Sequence, residues 1–261
     1  MKYKLYKHAW VFDGAPHLEL KMTAADSQRL LAEGGWLIRN TYAFDFPTPT
    51  PFWYVIKDSF GGMEELHTKM RNQVRKSQQA FDYRIIDKDT LLNQGYSIYC
   101  KAVGHYRIRT AVPSLPDFKQ RILDASEDTD LWGAFDKTTK QLSAFAINKV
   151  QDNMCEYQTL KALPEAVNSY VYYGLIHAMN AYYLGEKRLR YVCDGARSIT
   201  EHSNIQPFLL NKFRFRKAYC RLTIIYKKPF GTLIRLFVPL RKIIPNRALR
   251  ALLLMHTLQN E

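Results

Sequence analysis

One aspartate stands out as a candidate reactive group: Asp194, in the stretch Leu189–Thr200, which reads LRYVCDGARSIT. An apolar, β-prone run ends at this residue, and Gly195 follows it. Open α/β sheets bind ligands beyond the carboxyl ends of their strands. A carboxylate there is placed to orient a nucleophile or to take its proton. An Asp-Gly pair is also a common turn at the end of a strand, and the sequence leaves both interpretations open.

A second candidate group is basic. The spacing of apolar residues predicts a helix over Met63–Ala80, and Arg71, Arg75 and Lys76 lie beside its apolar stripe. These side chains are candidates for contacts with phosphate groups. The alternative is a solvated helix whose basic side chains lie along the edge of the apolar face.

Other kinds of catalytic site lack a sequence signal. The four cysteines are scattered, with no CxxC motif or Cys/His cluster that indicates zinc. They fit small buried side chains in a reducing compartment. His177 lies in an apolar helix, where a histidine is more often part of the core than of a site. No Ser-His-Asp order is present, so we expect no hydrolase triad. The absence of a Cys/His cluster in the sequence likewise leads us to expect no metal.

The composition indicates a folded, basic protein. The 261 residues are 47% hydrophobic and 13% aromatic, and the formal net charge is +14. No apolar run is long enough to span a bilayer, and the N-terminus has no secretory signal, so we expect a cytoplasmic protein. A basic excess favours nucleic acid, phosphate-rich cofactors or anionic lipid as partners.

The predicted elements form a mixed α/β chain. From Asp82 to Tyr226 the order is strand, helix, helix, three strands, helix, strand, helix, strand. Lys4–Phe12 is predicted as one strand, Ala166–Leu184 as one buried helix, and Arg188–Cys193 as the strand before Asp194. Gly174 lies on a small-residue face of that helix, so we expect the helix to pack closely against a sheet.

This order of elements resembles the GNAT superfamily of N-acyltransferases. The final helix and strand of that superfamily resemble NIQPFLLNKFRFRKAY (Asn204–Tyr219). More narrowly, YYGLIHAMNAYYLGEKRLRYVCDG followed by FLLNKFRF is similar to the second half of Fem-type transferases, which attach amino acids to cell-wall precursors. MRNQVRKSQQAFDYRIID (Met70–Asp87) is similar to a basic helix and strand of that family. The resemblance covers roughly residues 60–226.

The resemblance implies where chemistry would occur. In the GNAT fold two central parallel strands separate and substrates meet in the gap; here these map to Asn153–Lys161 and Arg188–Cys193. The candidates are then Asp194, with Glu156 in reserve and Tyr157 as a third. By strand alternation Glu156 also fits a solvated edge, and Tyr157 also fits the core. Amide formation needs a neutral amine, a base and a donor for the carbonyl oxygen.

The chain departs from the acyl-CoA-dependent pattern at three places. Where those enzymes carry a glycine-rich phosphate loop, this chain has KALPEAVNSY, with Glu165 in it and Lys161 close by. Asn211 stands near the position of a tyrosine that protonates the leaving thiolate, and Arg214 stands where glycine is preferred. Fem-type enzymes lack the glycine loop, so these gaps fit them better.

The last 35 residues are basic and amphipathic. Residues 227–261 contain seven Lys/Arg and one acidic residue, Glu261, which gives a net charge of +6. Prolines divide the segment into short helical pieces. It is typical of an in-plane anchor on an anionic membrane surface, through residues 227–255. Packing back on the domain, or on a second subunit in a homodimer, is the alternative.

Taken together, the sequence predicts an α/β (α+β) protein with a GNAT-like mixed sheet flanked by helices. The expected domains are a partial lobe (1–80), an acyltransferase domain (81–226) and a basic tail (227–261). The expected reaction transfers an acyl or aminoacyl group to an amine, with acyl-CoA or aminoacyl-tRNA as donor, on an envelope glycan or lipid-linked precursor. We expect a cytoplasmic or peripheral membrane enzyme. The alternatives are a non-catalytic protein that binds a phosphate-bearing ligand, and a charge-driven RNA-binding protein.

Overall fold

A computed structural model describes residues 3–6, 8–106, 111–199 and 204–259. The chain forms two compact units. The first contains Met1–Val55, Ala196–His202 and Lys217–Glu261, and the second contains Ile56–Gly195 and Ser203–Arg216. The two units are not contiguous in sequence, and residues 56–80 belong to the second unit.

The described residues form ten strands and nine α-helices. The strands are β1 (Tyr3–Tyr6), β2 (Ala9–Phe12), β3 (Leu37–Tyr42), β4 (Phe52–Lys57), β5 (Phe81–Ile85), β6 (Thr129–Asp136), β7 (Leu142–Gln151), β8 (Met154–Ala162), β9 (Tyr191–Ala196) and β10 (Arg216–Tyr226). The helices are α1 (Ala24–Glu33), α2 (Thr68–Ala80), α3 (Lys88–Gly104), α4 (Leu115–Leu123), α5 (Pro164–Asn168), α6 (Val171–Asn180), α7 (Ile205–Lys212), α8 (Phe230–Phe237) and α9 (Arg247–Thr257).

In the first unit β1, β2, β3 and β10 are neighbours in that order. The prediction of one strand over Lys4–Phe12 is wrong, because the chain turns at His8, whose φ is +66°, and returns as an antiparallel hairpin. β2 and β3 are parallel, and β3 and β10 are antiparallel. A capping box between Thr23 and Asp26 starts α1.

The C-terminal segment contributes to the core of the first unit. Leu258 packs in a buried cluster with Leu37, Phe52 and Leu222, and Leu253 of α9 is fully buried. Asn246 caps α9 by accepting a hydrogen bond from the backbone N–H of Leu249, at 3.0 Å. Of the alternatives for this segment, packing back on the domain therefore describes α9, whereas α8 keeps several apolar side chains exposed.

In the second unit β5 to β9 follow one another in sequence order. All neighbours are antiparallel except β8 and β9, which are parallel. Helices α3 and α4 contribute Leu91, Ile98 and Phe118 to a buried cluster with Phe145 of β7. From residue 81 the strands and helices follow the predicted order, except that the single predicted central helix is divided, and the mixed α/β class is confirmed.

The central helix is interrupted. The prediction of one helix over Ala166–Leu184 is wrong, because Tyr170 adopts a left-handed conformation with φ of +63° between α5 and α6. After Asn180 the chain continues as a π-helix over Ala181–Glu186. The expected close approach to the sheet is confirmed at Gly174, where an added Cβ would lie 2.3 Å from the Tyr83 hydroxyl of β5.

Helix α2 begins later than the spacing predicts. It starts at Thr68 rather than Met63, because the preceding residues form a turn that is held by Glu65. The Glu65 carboxylate accepts a hydrogen bond from the backbone N–H of Gly61 at 3.1 Å. Met70 and Val74, on the predicted apolar stripe, are buried as expected.

Candidate functional site

The two parallel strands of the second unit part where the candidate residues lie. The ladder between β8 and β9 consists of three residue pairs and ends at Glu156 opposite Cys193. β8 then continues along β7 to Ala162. Within the described part of the chain, no further pair joins β8 to β9. The separation that the GNAT resemblance implies is therefore present, and it begins at Glu156.

An irregularity in β8 lies at the same place. Opposite β7, Tyr157 pairs with Asn148 and Thr159 pairs with Ile147, so Gln158 is an extra residue in the ladder. Such a β-bulge bends a strand and changes the direction of the side chains around it. The bulge follows Glu156 and Tyr157 directly and helps to open the gap.

Asp194 lies inside β9, not after it, because the strand runs to Ala196, three residues beyond the predicted end. The carboxyl group is partly buried. Burial raises the pKa of Asp194 from its ordinary 3.8 to about 7; a side-chain hydrogen bond from Gln206 lowers it, and the charge of Glu156 raises it further. Gln206, in α7, also donates to the backbone carbonyl of Asp194 at 3.3 Å. A carboxyl group with this pKa exchanges protons readily near neutral pH.

Glu156 lies on β8 opposite Cys193, and its charge acts on the Asp194 carboxyl group. Its Oε2 accepts a hydrogen bond from Gln158 Nε2 at 3.0 Å. Gly195 has a φ of +80°, and a Cβ built on it would lie 3.9 Å from Glu156 Oε1. The structure therefore places the two predicted carboxylates on neighbouring strands where β8 and β9 separate, with Glu156 paired to Cys193, the residue before Asp194. Gly195, after Asp194, adopts a backbone conformation that other residues disfavour.

Tyr157 is close to Asp194 but is part of the core. It is buried, and its hydroxyl donates to Asn180 Oδ1 at 2.9 Å. Burial raises the pKa of this tyrosine well above 10, and the charges of Cys155 and Asp194 add to the effect. Because the hydroxyl already donates a hydrogen bond to Asn180, it is not free to act as an acid in the gap. Tyr157 therefore has a structural role beside the gap.

A buried polar network continues from this point, and the sequence did not reveal it. The hydroxyl of Tyr183 accepts from Trp132 Nε1 at 2.9 Å and donates to Asp130 Oδ2 at 2.9 Å. Asn148 Nδ2 lies 3.3 Å from the same hydroxyl. These residues occupy alternate strand positions and apolar helix positions, so only their joint burial identifies them as a network.

The predicted phosphate-binding residues lie apart from the carboxylates. Lys161 is five residues beyond Glu156 on β8, about 16 Å along the strand. Its Nζ donates to the Tyr106 hydroxyl at 2.8 Å and lies 5.3 Å from the centre of the Tyr99 ring. The cation is thus held by aromatic side chains, at a distance from Asp194.

The basic residues of α2 form an outer surface of the second unit. Arg71 donates to Thr68 Oγ1 at 3.3 Å, and Arg75 and Lys76 are exposed. Across residues 56–106 and 111–195, no hydrogen bond or ion pair links these three side chains to Asp194. They can attract a phosphate-bearing molecule through their charge, but they do not form part of the carboxylate pair.

A buried ion pair in the second unit was not predicted. Lys57 is 2% exposed, and its Nζ lies 2.9 Å from each carboxylate oxygen of Glu65. His177 lies nearby, with its ring edge-on to Phe60 at 5.3 Å. Burial lowers the pKa of His177, and the charge of Glu65 partly offsets this. A lysine at the end of an apolar strand gives no sequence signal of such burial.

Arg214 explains one departure from the GNAT pattern. Its φ is +55°, in the left-handed region where glycine is favoured, and the superfamily prefers glycine there. The guanidinium donates from Nε to the backbone carbonyl of Glu65. This contact compensates for a conformation that a non-glycine residue disfavours.

Comparison with known proteins shows the fold. No family model matches the chain, and a search of curated proteins found no match. Among solved structures, FemX is similar with a TM-score of 0.56 and 10% identity, over 74% of this chain and 73% of that one. L-PGS from Bacillus licheniformis is similar with a TM-score of 0.54 and 9% identity, over 94% and 86% of the two chains.

A third structure agrees with these two. The C-terminal domain of a proposed lysylphosphatidylglycerol synthetase from Agrobacterium fabrum has a TM-score of 0.52 and 10% identity, over 90% of this chain and 82% of that one. At such low identity the likeness concerns the fold alone. The chain has the GNAT-like fold of FemX and L-PGS, as the order of its elements predicted.

Proposed function

We propose that the protein transfers an acyl or aminoacyl group from an activated donor to an amine. The observation that carries the proposal is Asp194, a partly buried carboxyl group with a pKa of about 7, at the point where β8 and β9 separate. Ligands of open α/β sheets bind at such positions, and a base with this pKa is suited to neutral pH.

In this proposal Asp194 acts as the general base. An acceptor amine enters as an ammonium ion, and the Asp194 carboxylate takes its proton. The neutral amine attacks the carbonyl carbon of the donor, so that a C–N bond forms and the bond to the leaving group breaks. The nitrogen gives up its second proton to the leaving thiolate or alkoxide, and Asp194 releases the first proton to solvent. Burial is the main cause of the raised pKa of Asp194, and the charge of Glu156 raises it further.

The donor in this proposal carries phosphate groups, as acyl-CoA or aminoacyl-tRNA does. Arg71, Arg75 and Lys76 would attract such a molecule by charge. The start of α5 is poorly suited to a pyrophosphate, because Glu165 lies in its first turn and a helix N-terminus with a carboxylate disfavours further anions. This favours a donor that is held elsewhere, as in the Fem-type enzymes that the sequence resembles.

The acceptor that we propose is an amine on an envelope glycan or lipid-linked precursor. Support comes from the Fem-type resemblance of the sequence. It also comes from the fold shared with a proposed lysylphosphatidylglycerol synthetase, which is named for a lipid that carries an amino acid.

The first test is a thermal-shift series with CoA, acetyl-CoA, longer acyl-CoAs and aminoacyl-tRNA. At about 100 times the dissociation constant, a ligand that binds only the folded state adds about 2.7 kcal/mol. For a chain of this length that corresponds to a shift of about 5–10 °C. Each donor that shifts the midpoint is then prepared with a labelled acyl group and incubated with the protein and a panel of amines. Transfer of the label to an amine is measured.

Asp194→Asn separates binding from chemistry. We expect it to keep the donor-induced shift and to lose transfer by a factor of about 100 or more. Asp128→Asn, which removes an exposed carboxylate of the same unit, is the matched control and should keep both. A donor that binds without transfer to any amine would instead identify a non-catalytic binding protein.

A further inference from the structure

We propose that helix α8 and the turns after it form a docking surface for an anionic lipid bilayer. Five large apolar side chains form what we call the tail stripe, and each is between 43% and 76% exposed: Leu233, Leu236, Phe237, Leu240 and Ile243. The first four follow the spacing i, i+3, i+4, i+7, which places them on one face of a helix. The stripe is thus continuous rather than a scatter of single exposed residues.

The helix that carries the tail stripe is fixed on its other side. Ile234 is buried, and Phe230 packs edge-on against Trp36 at 4.9 Å and against Tyr226 at 6.0 Å. Arg241 Nη1 donates to Thr257 Oγ1 of α9 at 3.2 Å. These contacts attach α8 and the turn after it to the rest of the first unit, while the tail stripe stays exposed.

The charge around the tail stripe selects its partner. No aspartate or glutamate occurs between residues 202 and 260. Six basic side chains from residue 227 onward are exposed: Lys227, Lys228, Arg235, Lys242, Arg247 and Arg250. The segment thus presents an apolar helix face flanked by cationic side chains. This is complementary to a bilayer containing acidic lipids, in which apolar acyl chains lie beneath anionic headgroups.

A second copy of the chain fits this surface poorly. A symmetric dimer places the same patch of both subunits in contact, so it would bring together two cationic segments, and residues 202–260 contain no acidic side chain to compensate. In the described part of the chain no helix is long and apolar enough to cross a membrane. The mode of binding we infer is therefore in the plane of the interface. Trp36, which is 54% exposed beside Phe230, extends the surface with a side chain that favours membrane interfaces.

The proposal is independent of transferase activity and is tested by co-sedimentation of the full chain with vesicles. Vesicles of equal parts phosphatidylglycerol and phosphatidylcholine are compared with pure phosphatidylcholine, at low and high salt. We expect binding to the anionic vesicles, with weaker binding in high salt. Leu236→Ser should lower the partition coefficient about tenfold or more, and Lys242→Gln about fivefold.

The matched control is Leu123→Ser, which removes a leucine of similar exposure from the end of α4 in the other unit. It should leave vesicle binding unchanged, and the thermal midpoints of all variants should match that of the wild type. Three results would overturn the proposal. They are no binding to anionic vesicles at low salt, binding that Leu236→Ser leaves unchanged, and a concentration-dependent dimer that Leu236→Ser dissociates.

Discussion

The pKa of Asp194 makes a quantitative prediction for the variant Asp194→Asn. Burial raises this pKa from 3.8 to about 7. Between these pH values the folded state holds a proton that the unfolded state has released, so folding takes up a proton. The free energy of unfolding of the wild type must then fall as the pH rises through this range. Above the folded pKa the full cost is about 4 kcal/mol.

The asparagine variant has no carboxyl group and escapes this loss. We therefore expect the free energy of unfolding of Asp194→Asn, minus that of the wild type, to increase by about 2.5 kcal/mol between pH 5 and pH 8. Any change in the hydrogen bond with Gln206 adds an offset that does not depend on pH. The variant should thus gain stability relative to the wild type as the pH rises, although it is the less active protein.

Urea unfolding at half-unit pH steps measures this difference. Asp128→Asn reports the general effect of removing one exposed carboxylate from the same unit, and its curve is subtracted. A difference between Asp194→Asn and the wild type that stays constant from pH 5 to pH 8 would refute the reasoning. It would mean that Asp194 is ionised throughout and is a poor base at neutral pH.

Three further experiments, with four substitutions in all, test separate parts of the second unit. Lys57→Met leaves the Glu65 carboxylate buried without its cation and should lower the free energy of unfolding by about 3–5 kcal/mol. The double variant Lys57→Met with Glu65→Leu should recover most of this loss. Urea unfolding measures the stability of both variants. Tyr157→Phe removes the donor to Asn180 and should cost about 1–3 kcal/mol in the same assay, with transfer reduced only slightly. Gly195→Ala forces a side chain into a left-handed conformation and should cost about 1–2 kcal/mol; an unchanged thermal midpoint would contradict this.

The fold was predictable because local signals agreed with one another. In strands Phe52–Lys57 and Arg216–Tyr226, β-branched and aromatic residues are concentrated between turn residues, which is a local signal for a strand. Asp87 and Ser114, residue types that favour helix starts, cap α3 and α4 through their side chains. The wrong predictions, one strand through His8 and one helix through Tyr170, failed because a single residue with positive φ changes the direction of the chain. Neither residue type predicts a positive φ by itself.

The candidate site was predictable only in part. The position of Asp194 followed from the strand pattern and from the GNAT resemblance, and in the structure the charge of Glu156 acts on its carboxyl group. The role of Tyr157 depends on Asn180, which lies 23 residues away in sequence. The burial of Lys57 depends on the turn at Glu65. Such pairings arise from tertiary packing, and no spacing in a single sequence encodes them.

The most direct test of the central claim is the pH–rate profile of transfer, with the first donor and amine that react, for the wild type and Asp194→Asn. We predict that kcat/KM of the wild type rises with pH and levels off through a pKa of about 7. In the variant, activity should be low and this pKa should be missing from the profile. The same pKa of about 7 in both proteins, or equal rates, would contradict the assignment of Asp194 as the base.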